Sequence, residues 1–180
     1  MSRVEFHEEW FGSASQEALA KLLSLTDGTE GKIIEIGSWE GRSTIALANA
    51  AHPAEVVAID TWNGSPGEIS ADLAAERDVY MQFLHNVHTA TRGNVAAFRM
   101  GWREYFAKYA DPIRFLFIDA EHSYEEVRDN IAAAKPLMAP GSIMCGDDVH
   151  HPPVQQAVIE QFGDAQLMRS EERRVGKECL

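Results

Sequence analysis

The sequence is poor in cysteine, in basic residues and in long apolar runs. Its two cysteines, Cys145 and Cys179, sit in unrelated contexts. They make no disulfide framework, so the chain is expected to be held by core packing in a reduced, cytoplasmic setting. No apolar stretch approaches the roughly 20 residues that cross a bilayer, so no membrane partner is expected. The opening residues, MSRVEFHEEWFG, lack the apolar segment of a secretory leader. Lys and Arg total 16 against 28 Asp and Glu, a formal net charge of -12. A surface of that sign repels phosphate backbones and anionic lipid, which argues against nucleic acid as a partner. Metal cations and neutral or basic small molecules remain compatible.

What is present suits one globular domain. Hydrophobic residues make up 45% of 180 positions, enough to bury a core without staples. No internal repeat is visible. Short apolar runs alternate with amphipathic segments, the pattern of βαβ units and a parallel sheet. The expected fold is therefore α/β, doubly wound, with a mostly parallel sheet.

The periodicity predicts a helix over 13–26, opened by a capping box of Ser13 and Gln16. A buried strand follows at Lys32–Ile36 and a helix at Arg42–Ala51. A second strand, Val56–Ile59, ends in Asp60. After the polar loop TWNGSPGE, one long helix is expected over about 69–91. Ala96–Met100 reads as a third strand and Trp102–Tyr109 as a short helix. Arg114–Ile118 reads as a fourth strand, ending in Asp119. Ser123–Met138 reads as a helix with a second capping box, Ser123 and Glu126. Ser142–Cys145 reads as a fifth strand before Gly146-Asp147-Asp148, and Val154–Phe162 as a last helix.

The end of the chain reads differently. Glu171–Leu180 is charged and aperiodic, and RSEERRVGKECL resembles a translated sequencing-adapter fragment. On that reading the domain is 1–168, the segment 169–180 is non-native, and the native C-terminal strands are truncated. A natural disordered tail is the alternative.

The first strand runs into Glu35-Ile36-Gly37-Ser38-Trp39-Glu40-Gly41-Arg42-Ser43-Thr44. Glycines there allow a tight turn and close approach of a ligand to the backbone. The following helix presents unpaired N–H groups and a positive dipole end. Asp60 ends the next strand, where a carboxylate can accept both hydroxyls of a ribose. The turn is not a clean G-x-G-x-x-G, which weakens a nicotinamide reading. A glycine turn with a loop aspartate in an unrelated α/β fold is the plain alternative.

Asp119 and Asp147-Asp148 close two strands that should lie side by side at the carboxyl edge of the sheet. Three carboxylates converging there repel one another unless compensated, and hard divalent cations prefer oxygen ligands. The plain alternative is that Asp147 caps a turn and Asp148 faces solvent. His122, three residues after Asp119, is a candidate general base, or else a residue that orders its turn. His150 and His151 border the same region and read most simply as surface histidines, as do His85 and His88 on the long helix. Trp10 and Phe11 either cover the pocket or pack the first helix onto the sheet. Glu8-Glu9 and Glu125-Glu126 read as solvated faces or helix starts.

The stretches EIGSWEGRSTIALA, VVAIDTW and FLFIDAEHSYEEVRDNI…LMAPGSIMCGDD resemble class I S-adenosylmethionine-dependent methyltransferases. The resemblance is nearest to the small-molecule group that includes macrocin-type sugar O-methyltransferases, and it runs from about Trp10 to Phe162. It implies a Rossmann-like methyltransferase fold and S-adenosylmethionine as cofactor. The cofactor's amino-acid end would lie against Glu35, Gly37, Ser38 and Gly41. Its ribose would lie on Asp60, with Thr61 and Trp62 beside the adenosine and Gly101 and Trp102 near the adenine. It implies Asp119, Asp147 and Asp148 as ligands of Mg2+ or a similar ion, which would hold the acceptor's hydroxyls. Asp119 or His122 would be the catalytic base. Here the sequence departs from the metal-dependent sugar enzymes, which usually differ over Ala120-Glu121-His122-Ser123-Tyr124.

The implied function is methyl transfer to a hydroxyl of a small molecule, a sugar or polyol among the candidates. Homo-oligomer formation is left open. The rivals are a nicotinamide-dependent oxidoreductase, for which no Tyr/Lys catalytic pair is evident, and a non-catalytic cofactor-binding protein.

Overall fold

The computed structural model describes residues 3–163, together with the backbone of 168–169 and 178–179. Five parallel strands form its centre: β1 (Lys32–Ile36), β2 (Val56–Asp60), β3 (Val95–Arg99), β4 (Ile113–Ile118) and β5 (Met138–Gly146). They lie in the order β3-β2-β1-β4-β5. Two-residue antiparallel strands, β6 (Met168–Arg169) and β7 (Glu178–Cys179), extend the β5 edge in the order β5-β7-β6. The remainder of the tail, including most of the adapter-like string, lies outside the described residues.

The strands are short runs of branched and aromatic residues, and both faces of the sheet are covered. Alternate side chains go to opposite faces. Ile33, Val56, Phe115 and Phe117 pack with Leu19 and Leu23 of α1 (Ser13–Ser24) and Leu47 of α2 (Arg42–Ala51). On the other face, Ile34, Ile36, Val57, Ile59 and Leu116 meet Ile131 of α6 (Tyr124–Ala134) and Val158 of α7 (Pro152–Phe162). A smaller cluster joins Trp62 and Ala58 to Phe83 and Val87 of α4 (Val79–Ala90). The helix α5 (Trp102–Lys108) follows β3 and buries Tyr105.

Several boundaries differ from the sequence expectation. The long helix over 69–91 is two helices, α3 (Ile69–Glu76) and α4, because Asp78 caps the second by accepting from the Met81 N–H at 3.0 Å. The first helix ends at Ser24, and its N-cap is Gly12, not Ser13. Gln16 donates instead to the Phe11 carbonyl. The second expected capping box is half present. Ser123 accepts from the Glu126 N–H, but the Glu126 carboxylate turns to Trp102 and Arg103. That helix stops at Ala134, and Pro136 sits in a short 3-10 turn, Lys135–Leu137, leading directly into a longer β5.

The strand order reverses beside β1, since β2 lies on one side of it and β4 on the other. In open α/β sheets ligands bind at this switch point, outside the carboxyl ends of the strands. The register brings those ends level. Ile36 pairs with Ile59 and Ile118, and Ile118 with Gly146. Gly37, Asp60, Asp119 and Asp147 thus emerge together at one edge. Among the described residues no helix is long and apolar enough to cross a membrane.

Candidate active site

A cleft of about 1010 Å³ opens along this edge. Its walls include Gly37, Ser38 and Trp39 from the first turn, Asp60 and Thr61 after β2, and Gly101 and Trp102 after β3. Asp119 and His122 after β4, and Asp147 and Asp148 after β5, complete its floor and far end. The volume suits a ligand of nucleoside size with room beside it.

The first turn is held by its neighbours. Gly37 has φ 86° and donates its N–H to the Ile59 carbonyl at 2.9 Å. A Cβ on Gly37 would lie 1.8 Å from the Asp119 carbonyl oxygen, so only glycine fits between β1 and β4. The Asp60 carboxylate accepts from the N–H groups of Ser38 and Trp39 at 2.9 Å each, and from that of Trp62 at 2.7 Å. Burial pushes the Asp60 pKa up, against the pull of these amides. Asp60 therefore ties the turn to β2 as well as facing the cleft.

Three expected cofactor residues lie behind the wall. Glu35 is fully buried, and its Oε2 accepts from the Thr44 hydroxyl. Among the described residues its Oε1 has no hydrogen-bond partner, and burial pushes its pKa up, against the pull of nearby Ser43, Thr44 and Ser38 hydroxyls. Gly41 caps α2 with φ 88° and rests against the Phe83 ring. Trp62 is buried against Tyr80 and Phe83, and its indole N–H donates to the Trp39 carbonyl at 2.7 Å. It supports the turn from below rather than flanking an adenosine. Thr61, by contrast, is exposed to the cleft. The Trp102 indole donates to Glu126 at 3.0 Å, and the space beside Gly101 is open.

The far end is acidic. Asp119 is pushed well above the ordinary carboxylate range, first by burial, then by repulsion from Asp147, Asp148 and Glu35. The Asp147 carboxylate accepts the Asp148 N–H at 3.0 Å, and Asp148 holds a left-handed φ of 62°. His122 bridges two acids: Nδ1 lies 2.9 Å from Glu68 Oε1, and Nε2 lies 2.8 Å from Asp148 Oδ2. The bond to Asp148 leads a set of contacts that raise the His122 pKa to about 9. In this arrangement His122 is a cation donating to two carboxylates near neutral pH, not a free base. One donor atom from each of Asp119, His122 and Asp148 lies within 4.8 Å of the others. The histidine thus stands inside the carboxylate set.

Sequence reasoning missed a network over the first turn. Glu40 is buried and accepts both the backbone N–H and Nδ1 of His7, at 2.8 and 2.7 Å. Arg77, at the α3–α4 break, bonds Glu8 at 2.6 Å and Glu40 at 3.1 Å. The Trp39 indole N–H donates to Glu8 at 3.0 Å. Glu8 is therefore not a solvated acid: burial raises its pKa, but the bonds from Arg77 and Trp39 outweigh that and leave it lowered. Residues 5–11 form a strap along one wall of the cleft. Phe11 packs edge-on to Phe117, while Trp10 lies over Trp39 with ring centroids 5.4 Å apart. The two expected roles are thus divided, Phe11 packing the core and Trp10 covering the turn. The only sequence signals were a glutamate inside the turn and an arginine just before a capping aspartate, and neither points at the other.

Residues 34–149 match the family described as a methyltransferase domain, more than half of the chain. The chain belongs to this family. No curated protein sequence matches the methyltransferase at a significant level. Solved structures resemble it in fold. The O-methyltransferase NovP has a TM-score of 0.67 at 20% identity, covering 93% of this chain and 79% of that one. CalS11, a TDP-rhamnose 3'-O-methyltransferase of calicheamicin biosynthesis, has a TM-score of 0.65 at 17% identity, covering 92% and 77%. An O-methyltransferase from Bacillus cereus, solved in complex with SAH, has a TM-score of 0.60 at 20% identity, covering 98% and 81%. The family match bears out the methyltransferase reading and removes the nicotinamide oxidoreductase. The structural likeness bears out the Rossmann-like, doubly wound fold.

Proposed function

We propose that this methyltransferase moves the methyl group of S-adenosylmethionine to a hydroxyl oxygen of a small molecule. The observation that carries the reading is one continuous cleft, with the Gly37–Asp60 cradle at one end and the Asp119–Asp147–Asp148 carboxylates at the other. Methyl transfer needs two ligands in line, and a shared cleft supplies the alignment. Proteins of similar fold support the class of acceptor, since NovP, CalS11 and the Bacillus cereus protein are all O-methyltransferases.

The cradle fits the cofactor's polar groups. Gly37 lets the backbone come close, and the exposed Thr61 and open Gly101 leave room for a nucleoside. Glu35 supports the turn through Thr44 and shapes the cradle from behind. Asp60 offers its carboxylate at the edge where a ribose would lie.

The acidic end fits a divalent cation such as Mg2+, because the half-buried Asp119 lies beside the carboxylates of Asp147 and Asp148, which repel its own. Asp119, Asp147 and Asp148 would hold it, and such an ion lowers the pKa of a bound hydroxyl. As the new O–CH3 bond forms and the S–CH3 bond breaks, the hydroxyl proton must leave the acceptor. Asp119, on the cleft floor beside the acceptor's end, is placed to take it. His122 positions Asp148 and carries a positive charge beside it. A sugar or polyol acceptor suits such an end, because adjacent hydroxyls can face these carboxylates together.

Calorimetry with S-adenosylmethionine and with NADH, each with and without Mg2+, tests the cofactor. Binding of S-adenosylmethionine alone is expected, weakened at least tenfold by Asp60→Ala. A folded protein that binds neither would overturn the proposal.

A further inference from the structure

The connection from β5 to α7 carries two histidines that the cleft floor does not need. The His151 N–H donates to the Asp148 carbonyl at 2.8 Å, closing a four-residue turn. Pro152 and Pro153 open α7 directly behind it, and their fixed φ makes this turn stiff. Inside the turn, His150 Nε2 lies 3.7 Å from Asp148 Oδ1, and His151 Nε2 lies 3.8 Å from the same oxygen. The two rings are 4.4 Å apart at 52°. These separations are too long for hydrogen bonds. Two ligands about 2.1 Å from one tetrahedral ion stand about 3.4 Å apart. The observed spacing differs from that by a few tenths of an ångström, within reach of a small side-chain rotation.

The carboxylate that would join the two imidazoles is already fixed. Asp148 Oδ2 faces His122 at 2.8 Å, leaving Oδ1 to the turn. His122 is held in turn by Glu68 and stacks on His151 with ring planes 15° apart. A ligand oriented through a second bonded group is the usual build of a protein metal site. His150 and His151 keep 74% and 46% side-chain exposure, so an ion reaches them without any core movement.

We propose that Asp148, His150 and His151 bind a transition-metal dication of the zinc, cobalt and nickel class at the mouth of the cleft. Two imidazoles and one carboxylate favour such ions, whereas Mg2+ prefers oxygen ligands and water. The site differs in donors and in place from the floor of Asp119 and Asp147, and it shares only Asp148 with it. Asp148 and His150 line the cleft, so the ion's remaining coordination positions lie beside its acceptor end. The inference does not depend on methyl transfer.

The test uses the whole chain, free of any affinity tag and treated with chelator. Co2+ is titrated in excess Mg2+, following heat and the visible absorption of the bound ion, with Zn2+ as competitor. One equivalent is expected to bind, with absorption typical of low-coordinate, nitrogen-ligated cobalt, and Zn2+ should displace it. His150→Ala with His151→Ala should weaken binding about 100-fold, since two of three ligands are gone. Asp119→Asn should change it by less than about threefold, since Asp119 lies outside this ligand set. Unchanged affinity in the double variant overturns the proposal. So does loss of binding in Asp119→Asn, which would place the ion on the floor instead, or an absence of binding in the wild type.

Discussion

Replacing Gly37 by Ala should unfasten the switch point, and the size of the effect can be worked out. Two terms act. The first is conformational: φ is 86°, and an L residue held there costs about 1 kcal/mol relative to glycine. The second is steric: the new Cβ would sit 1.8 Å from the Asp119 carbonyl oxygen and 2.5 Å from its carbonyl carbon. An ordinary contact is about 3.4 Å or more, so β1 and β4 would have to part by over an ångström in a close-packed core. That overpacking adds about 2–3 kcal/mol, for a total of about 3–4 kcal/mol. Gly93 supplies the control. It has φ 77° and nothing within 4 Å of a built Cβ, so Gly93→Ala meets only the first term. In denaturant unfolding the two variants should differ by about 2–3 kcal/mol. In a thermal scan the gap should be roughly 5–10 °C for a domain of this size. Gly37→Ala should also lose S-adenosylmethionine binding, because the same shift moves the turn and Asp119 together. Equal stabilities for the two variants would refute the reasoning, since the close approach of β1 and β4 would then cost nothing.

Further perturbations test the other parts of the site. His122 has a folded pKa raised to about 9 from an ordinary 6.5, chiefly by its bond to Asp148, so its charge stabilises the fold. That stability is complete below about pH 6.5 and is lost as pH rises through about 9. In chelator-treated protein the loss should be on the order of 1–2 kcal/mol after allowing for solvent screening. Unfolding free energies of wild type and His122→Gln, measured from pH 6 to pH 10, should converge on the alkaline side, and parallel curves would count against the ion bridge. Asp119→Asn should abolish turnover yet stabilise the metal-free protein by about 1 kcal/mol, because it removes a half-buried carboxylate repelled by its neighbours. A methyl-transfer assay and a melting curve on the same sample report both, and retained turnover would remove Asp119 from the mechanism. Arg77→Met should leave Glu8 and Glu40 without the guanidinium that joins them, at a cost of about 2 kcal/mol. Faster amide exchange over residues 5–11 should accompany it, and unchanged exchange would mean that the strap is held by other contacts.

The architecture was legible along the chain. Runs such as Ile33–Ile36 and Phe115–Ile118, spaced by amphipathic segments, have a period and length that only buried parallel strands and covering helices satisfy. Asp60, Asp119 and Asp147 were legible as site residues for the same reason, because each ends or follows such a strand and the topology delivers strand ends to one edge. Helix boundaries were less legible where two signals competed. Helix-forming residues flank Arg77 and Asp78 on both sides, and the extended Arg77 with the cap made by Asp78 divides them. Which polar groups meet was legible only once the chain was folded. Trp62 and Glu35 belong to cofactor-like motifs yet turn into the core, since packing against Phe83 and bonding to Thr44 fix them there. His122 reads as a base along the chain, but Glu68, 54 residues earlier, and Asp148, 26 residues later, make it a bridging cation. The salt link of Glu8, Arg77 and Glu40 likewise joins three segments distant in sequence. Periodicity is a local property that one stretch of chain carries. The pairing of charges depends on distances that exist only after the sheet has brought those stretches together.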